Sequence, residues 1–282
     1  MACVSVGKAL RIIALILMCR LVGYLGSSIH LDELLYKPEH SLHHQSFNPQ
    51  ELKSGVVCAD GVGIGWYDAV GQPFIYRNTI PLWNDTNLEE LSHYVKSDCA
   101  LGYVRLAEAG STLDMSNCQP FRSDKLLFVH NGAIANFQET LYRPIRSSLS
   151  DSTYRLIKGI TDSEHIFALL CEYLQSSPKS SLLDALRATL NTLTDMAKEH
   201  DTSFSANIIV SDGRSLCASR YAYGTEAPTL YWSTHDVNHP SNVTVASEPL
   251  SNQKWLPFAP QSTLFVKAKS LQPLTSVLEN AA

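Results

Sequence analysis

The stretch Met18-Cys-Arg-Leu-Val-Gly-Tyr-Leu-Gly26 decides how the rest of the chain is read. From Cys19 to Leu25 its alternation and its β-branched and aromatic residues predict a strand, ended at Gly26-Ser-Ser28. A cysteine therefore heads a strand directly after a methionine. Cysteine is small enough for a preceding initiator Met to be removed, which leaves a thiol and a free α-amine on one residue. An α-amine with a pKa near ~8 can take the proton of its own neighbouring thiol at neutral pH. On these residues alone the competing reading, a buried cysteine at a strand end, stays open.

Seventeen residues, MACVSVGKALRIIALIL, precede that pair. Lys8 and Arg11 ahead of an apolar run give the outline of a short signal sequence. The run is far below the ~20 residues of a membrane span, no small-x-small cleavage site follows, and the bulky Met18 argues against a lipoprotein signal. We expect residues 1–18 to be an N-terminal extension, processed away or not translated, with Met18 as the preferred start. Residues 19–282 are expected to form one domain.

Within 282 residues, a hydrophobic content of 45% allows a sizeable core. The net charge of −5 leaves no electrostatic footprint for nucleic acid, and no Lys/Arg run marks an anionic membrane surface. The expected partner is a small molecule, with no nucleic acid and no stable membrane association. Seven cysteines without CxxC spacing read as reduced thiols of a cytoplasmic protein.

Along the chain, residues 31–36 predict a short helix and residues 37–55 an irregular loop with His40, His43 and His44. Lacking a carboxylate at ligand spacing, these histidines are read as loop-packing or solvated groups in preference to a metal site. Gly61-Val-Gly-Ile-Gly-Trp-Tyr67 has glycine spacing like a phosphate loop but runs into strand residues, so the glycines are expected to let another backbone approach. Pro73-Phe-Ile-Tyr-Arg77 is its hairpin partner. Asp85 or Thr86 caps a helix through Val95, and Cys99-Ala-Leu-Gly-Tyr-Val-Arg105 returns as a strand. The short apolar strand Leu126-Leu-Phe-Val129 delivers His130-Asn-Gly132 at its C-terminal end. Thr161 or Asp162 caps the first of two amphipathic helices, and five short strands follow, at 206–210, 216–219, 229–232, 243–246 and 263–266. Strands, a helix pair and more strands predict an α+β domain in which helices cover packed sheets.

No GxSxG elbow, HExxH helix, Walker A loop or Rossmann fingerprint is present, so nothing in the sequence calls for a cofactor. Five short motifs in order carry a resemblance instead: Cys19-Arg-Leu-Val-Gly23, Asp60-Gly-Val-Gly-Ile-Gly-Trp66, Val104-Arg105, His130-Asn-Gly132 and Thr161-Asp-Ser-Glu164. Together they resemble the landmarks of class II glutamine amidotransferases, and Val245-Ala-Ser-Glu-Pro-Leu250 extends the likeness. The resemblance implies a four-layer αββα sandwich of the N-terminal-nucleophile (Ntn) hydrolase type, and a nucleophilic Cys19. It also implies that Arg105 clamps the α-carboxylate of a glutamyl substrate and Asp162 pairs its α-ammonium. Asn131, through its side-chain amide, and Gly132, through its backbone N–H, would form the oxyanion hole. Read without it, Arg105 is a strand-end cation and Asp162 a helix cap; His130 is expected to pack and not to catalyse, because the α-amine already supplies the base.

Lys37-Pro-Glu-His40, Ala59-Asp-Gly61, Pro81-Leu-Trp83 and Pro120-Phe121, with the first and last motifs, resemble a stand-alone branch of that family. Its members are the γ-glutamyl hydrolases of ergothioneine biosynthesis, which free glutamate from a γ-glutamyl conjugate of hercynine. The alternatives are a stand-alone glutaminase or γ-glutamyl peptidase, and a non-catalytic amidotransferase-like binding domain. Gln45, Phe47, the histidines, Trp66, Tyr67 and Trp83 are the groups expected to hold the leaving half, aromatic faces being attractive to a quaternary ammonium.

Overall fold

The computed structural model describes residues 19–51, 57–107, 113–234 and 241–278. The expected extension 1–18 lies outside the described residues. Two antiparallel sheets form the centre. One consists of β1 (Arg20–His30), β2 (Val62–Tyr67), β3 (Pro73–Asn78), β4 (Lys96–Val104), β9 (Tyr231–Ser233), β10 (Asn242–Ala246) and β11 (Leu256–Pro257), in the order β11-β9-β10-β1-β4-β2-β3. The other consists of β5 (Phe121–Ser123), β6 (Leu126–Ile134), β7 (Phe204–Ser211), β8 (Ser215–Tyr223), β12 (Ser262–Lys267) and β13 (Leu274–Val277), in the order β13-β12-β8-β7-β6-β5.

The period of two along each strand divides the apolar side chains among three cores. Leu21 and Leu25 of β1 meet Leu127, Val129 and Ile209 of the second sheet. Their neighbours Val22 and Tyr24 face the opposite way, onto α1 (Asp32–Leu35), α2 (Leu42–Phe47) and α3 (Thr86–Tyr94). Phe128, Ile208 and Val210 pack beneath α4 (Tyr142–Ser148), α6 (Asp162–Ser176) and α7 (Leu182–Glu199), while α5 (Asp151–Tyr154) lies beside α6. Helices, sheet, sheet and helices are the expected four-layer αββα sandwich.

Several elements depart from the sequence reading. Residues 42–47, expected to be irregular, form α2 because the Ser41 side chain accepts the His44 N–H and caps it. Of the caps the sequence offers, Asp85 is the one used by α3 and Thr161 the one used by α6, which makes Asp162 the first residue inside that helix. The strand read as 126–129 continues to Ile134, so His130-Asn131-Gly132 lie within β6 and pair with Ile208, Asn207 and Ala206. Gly132 fits because a Cβ there would stand 2.0 Å from the Ser205 carbonyl oxygen. The short strands β5, β11 and β13 lie at or near sheet edges, where few apolar residues mark them in the sequence.

Glu248, fully buried, ties the first strand to segments remote in sequence. Arg20 donates to its carboxylate from Nε at 2.9 Å and Nη2 at 2.8 Å, His40 Nε2 lies at 2.7 Å, and the N–H groups of Gln50 and Glu51 donate at 2.8 and 3.2 Å. Burial alone would raise its pKa, but the His40 hydrogen bond, the Arg20 charge and the two N–H donors outweigh it and lower the value to about 2. The stability it contributes is therefore present above the ordinary glutamate pKa of about 4.3 and is lost as pH falls from there toward 2. Removing one partner of a buried pair costs about 3–5 kcal/mol. Glu248→Ala is expected to lower the melting temperature accordingly, and Glu248→Gln to flatten the loss of stability between pH 4.5 and 2.5, both read by thermal unfolding across pH.

Candidate active site

Cys19 stands at the head of β1, beside the end of β4 and the start of β2. Arg20 pairs with Val104, Val104 with Val62, and the Arg105 N–H donates to the Gly61 carbonyl at 2.8 Å. The Cys19 side chain packs against the core between the two sheets while part of its surface stays open. Its Sγ accepts the Leu106 N–H at 3.2 Å, the Tyr103 phenol hydrogen-bonds to it, and Arg20 Nη1 donates to its carbonyl oxygen at 3.0 Å. Burial pushes the thiol pKa up, against the Leu106 N–H, the Tyr103 phenol and the charges of Arg105 and Arg20. A neutral thiol results, its own S–H donating to the Leu106 carbonyl at 3.5 Å. A carbonyl, a phenol and two guanidinium groups accept or donate hydrogen bonds but are not bases that remove the proton at neutral pH.

Arg105 is not a surface cation: it is 5% exposed. Its strand end is fixed through the main chain of Asp60 and Gly61, and the Asp60 carboxylate accepts the Ala107 N–H at 2.8 Å. Over this corner runs the segment 114–120. A Cβ on Gly61 would stand 2.8 Å from Cys118 Sγ, and one on Gly63 would stand 2.0 Å from the Gln119 carbonyl oxygen. Gly63 thus admits a neighbouring backbone, as the glycine spacing predicts, while Gly65 makes room for the Leu127 side chain.

The same segment reaches the second sheet. Gln119 accepts the His130 N–H at 2.5 Å and donates to the His130 carbonyl at 3.0 Å. β5 pairs with β6 only as far as Phe128, so the outer edge of β6 beyond that point carries free donors. His130 gives its N–H to Gln119, and Ile134 gives its own to Asp162 Oδ2 at 2.9 Å. N–H groups alternate sides along a strand, so the Gly132 N–H, midway between these two, faces the same open edge. Asp162 also accepts the Ser163 N–H at 2.6 Å and keeps part of its surface open. His130 is buried, which lowers its pKa, and both ring nitrogens are engaged, Nε2 donating to the Ser205 carbonyl and Nδ1 facing Ser163 Oγ. It packs, as expected of it in the sequence.

Asn131 follows Leu127 and Val129 on the face of β6 turned to the other sheet, where β1 and β4 lie against it. It is 1% exposed, and neither atom of its amide has a hydrogen-bond partner. A buried amide left unsatisfied by the chain costs about 1–3 kcal/mol, so its bonding is left to a water or a ligand to complete. Cys19 and Asn131 thus lie on the facing sides of the two sheets, Arg105 follows β4 beside the nucleophile strand, and Gly132 and Asp162 lie along the outer edge of β6. A cavity of about 360 Å³ bordered by Tyr24, Lys37 and Trp255 lies on the helix side of the first sheet, away from the thiol.

A sequence profile of the class II glutamine amidotransferases matches residues 36–227, more than half of the chain. The chain belongs to the class II glutamine amidotransferases. It is an amidohydrolase of that family. It is 29% identical to the probable glutamine amidotransferase DUG3 of Saccharomyces cerevisiae, over 90% of this chain and 83% of the yeast protein. It is 30% identical to the γ-glutamyl-hercynylcysteine sulfoxide hydrolase of Mycolicibacterium smegmatis, over 82% of this chain and 88% of that one. The solved structure of a glutamine aminotransferase class-II domain protein from Silicibacter pomeroyi superposes with a TM-score of 0.67 at 27% identity, covering 92% and 99% of the two chains.

Sequence reasoning missed Tyr103, the Leu106 N–H, Arg20, Gln119 and Glu248. Arg20 adjoins the nucleophile and Glu248 sits in the Ala246–Leu250 motif, but their mutual contact spans 228 residues and has no local signature. Of the aromatic groups expected around a leaving half, Tyr67 is core, its hydroxyl bound to the Lys125 and Ser211 carbonyls. Trp66 stacks on Phe74 on the helix side of the first sheet. His40 is taken up by Glu248 and His44, and Gln45 by the carbonyls of His40 and Glu248.

The close approach at Gly63 gives a measurable consequence. Gly63→Ala displaces Gln119 from His130 and is expected to cost about 1–3 kcal/mol of stability, the usual range for overpacking. Thermal unfolding checks the stability. A turnover assay on the folded fraction should show an accompanying loss of activity.

Proposed function

We propose that the chain hydrolyses γ-glutamyl amides with Cys19 as an N-terminal nucleophile, acting on γ-glutamyl-hercynylcysteine sulfoxide in ergothioneine biosynthesis. The observation that carries the catalytic part is a buried thiol held between the Leu106 main chain, the Tyr103 phenol and the charges of Arg105 and Arg20, none of which is a general base. The α-amine of Cys19 itself, with a pKa near ~8, meets the need once Cys19 is the first residue.

In this mechanism the α-amine takes the thiol proton and the thiolate attacks the γ-carbonyl carbon. The negative charge developing on the carbonyl oxygen is received by the Asn131 Nδ2–H and the Gly132 N–H. As the intermediate collapses, the C–N bond breaks and the α-ammonium returns the proton to the departing nitrogen, leaving a thioester. Water then attacks the thioester while the amine takes its proton, and glutamate and the thiol are restored. Arg105 binds the substrate α-carboxylate and Asp162 its α-ammonium, which together require a free γ-linked glutamyl group.

The leaving group is supported by the relatives. The mycolicibacterial hydrolase aligns along most of both chains, and a second from Mycobacterium tuberculosis is 35% identical over 42% of this chain. On the helix side of the first sheet Phe47 stands edge-on to Trp83, His43 and His44, an aromatic group of the kind that attracts a trimethylammonium. The yeast relative, called a probable glutamine amidotransferase, covers as much of the chain and supports the second reading, a glutaminase using the same residues. The described cysteines are all free thiols, which fits a cytoplasmic setting, and no helix among the described residues is long and apolar enough to cross a membrane.

The active protein is expected to begin at Cys19, as N-terminal sequencing will show. Cys19→Ala should abolish turnover and Cys118→Ala should not. Activity in a preparation that retains residues 1–18 overturns the amine-as-base mechanism. Asn131→Ala should lower kcat by about 10²–10³, the cost of one oxyanion donor, while Arg105→Lys should chiefly raise KM. Comparing kcat/KM for γ-glutamyl-hercynylcysteine sulfoxide and for glutamine assigns the substrate: a preference for glutamine selects the glutaminase reading.

A further inference from the structure

Asn207 lies directly across the β6–β7 ladder from Asn131. Ile209, two residues on, is in the inter-sheet core, so by alternation Asn207 shares the face on which Asn131 points toward the first sheet. It is fully buried. Its Nδ2 donates to the carbonyls of Pro228 at 3.0 Å and Thr229 at 3.1 Å, and those two bonds fix which end of the amide is which. Its Oδ1 has no hydrogen-bond partner. The anchor leads back to the nucleophile strand: Thr229 Oγ1 donates to the Ser247 carbonyl at 3.0 Å, and the Leu21 N–H donates to Ser247 Oγ at 3.1 Å.

Directly opposed residues of an antiparallel pair hold their Cβ atoms about 4.5–5.5 Å apart. Two buried amides therefore present, side by side, a donor at Asn131 Nδ2 and an acceptor locked in place at Asn207 Oδ1. A carboxamide offers the complementary pair on adjacent atoms of one plane, a carbonyl oxygen and an N–H that in a trans secondary amide points away from that oxygen, so the two Asn groups engage opposite edges of the scissile bond. An ester offers the oxygen without the N–H.

We propose that Asn207 is a specificity-determining residue whose Oδ1 accepts the N–H of the scissile γ-amide while Asn131 receives its carbonyl oxygen. The inference rests on the γ-glutamyl amide hydrolysis proposed above. With an amide bound, the Asn207 acceptor is satisfied and the nitrogen is oriented for protonation. With an ester bound, a buried acceptor is left facing an ether oxygen, and such a mismatch discriminates more strongly than a lost surface contact.

The test compares kcat/KM for γ-glutamyl ethylamide with that for the γ-ethyl ester of glutamate, in the purified active enzyme and in Asn207→Ala and Asn207→Leu. The amide-to-ester ratio is independent of the fraction of folded enzyme. It is expected to fall by about 10- to 100-fold in both variants, with ester turnover retained. Asn131→Ala should depress both substrates alike, because the oxyanion is common to them. An unchanged ratio in the Asn207 variants, or loss of ester turnover along with amide turnover, overturns the proposal while leaving the hydrolase reading intact. Failure of the wild-type enzyme on the ethylamide, on glutamine and on γ-glutamyl-hercynylcysteine sulfoxide alike overturns the hydrolase reading and this inference with it; turnover of the latter two without the ethylamide overturns this inference alone.

Discussion

A carboxylate without access to water organises the nucleophile's end of this molecule. Glu248 can stay ionised inside the protein only because Arg20, His40 and two main-chain N–H groups surround it. Each of these partners belongs to a part of the chain that has to be placed. Arg20 also holds the Cys19 carbonyl, His40 precedes the helix α2, and Gln50 and Glu51 follow it. Satisfying one buried charge thus settles the head of β1, the segment around α2 and the turn after β10 together. The position of the thiol follows from electrostatics as much as from sheet pairing.

Between the sheets the rule is reversed, because there polar groups are left unsatisfied. Asn131 and one atom of Asn207 carry buried, unpaired hydrogen-bonding capacity amid an otherwise apolar interface. β6 outruns β5 and exposes a row of main-chain donors, of which Gln119 and Asp162 take the outer two. Such arrangements reduce stability, and the packed helices on both outer faces offset the loss. A thiol kept neutral by burial completes a site that is chemically quiet until the right group enters.

Much of this architecture is visible in the chain itself because it depends on local periodicity. Alternation in residues 19–25 and 61–67, the apolar run at 126–129 and the stripes of α6 and α7 each imply their own burial. The family landmarks gave the order of the layers, which periodicity could not. What escaped notice is governed by distant partners. The extension of β6 through Gly132 depends on the Ser205 backbone, and the ion pair of Arg20 joins opposite ends of the chain; α2 is the exception, set by the adjacent Ser41 hydroxyl. Tyr67 looks like a binding aromatic in sequence and is core in space because its hydroxyl finds two carbonyls.

The place of β1 in its sheet has a consequence for biosynthesis. Its neighbours are β4 on one side and β10 on the other, and β10 is made more than two hundred residues later. A ribosome delivers the chain from its N-terminus, so the strand behind the cysteine waits, half-paired, while most of the protein is still being translated. Long-range pairing of this kind forms late and slowly. The thiol is therefore born before the surroundings that hold it, and the complete site assembles only as the last strands leave the exit tunnel.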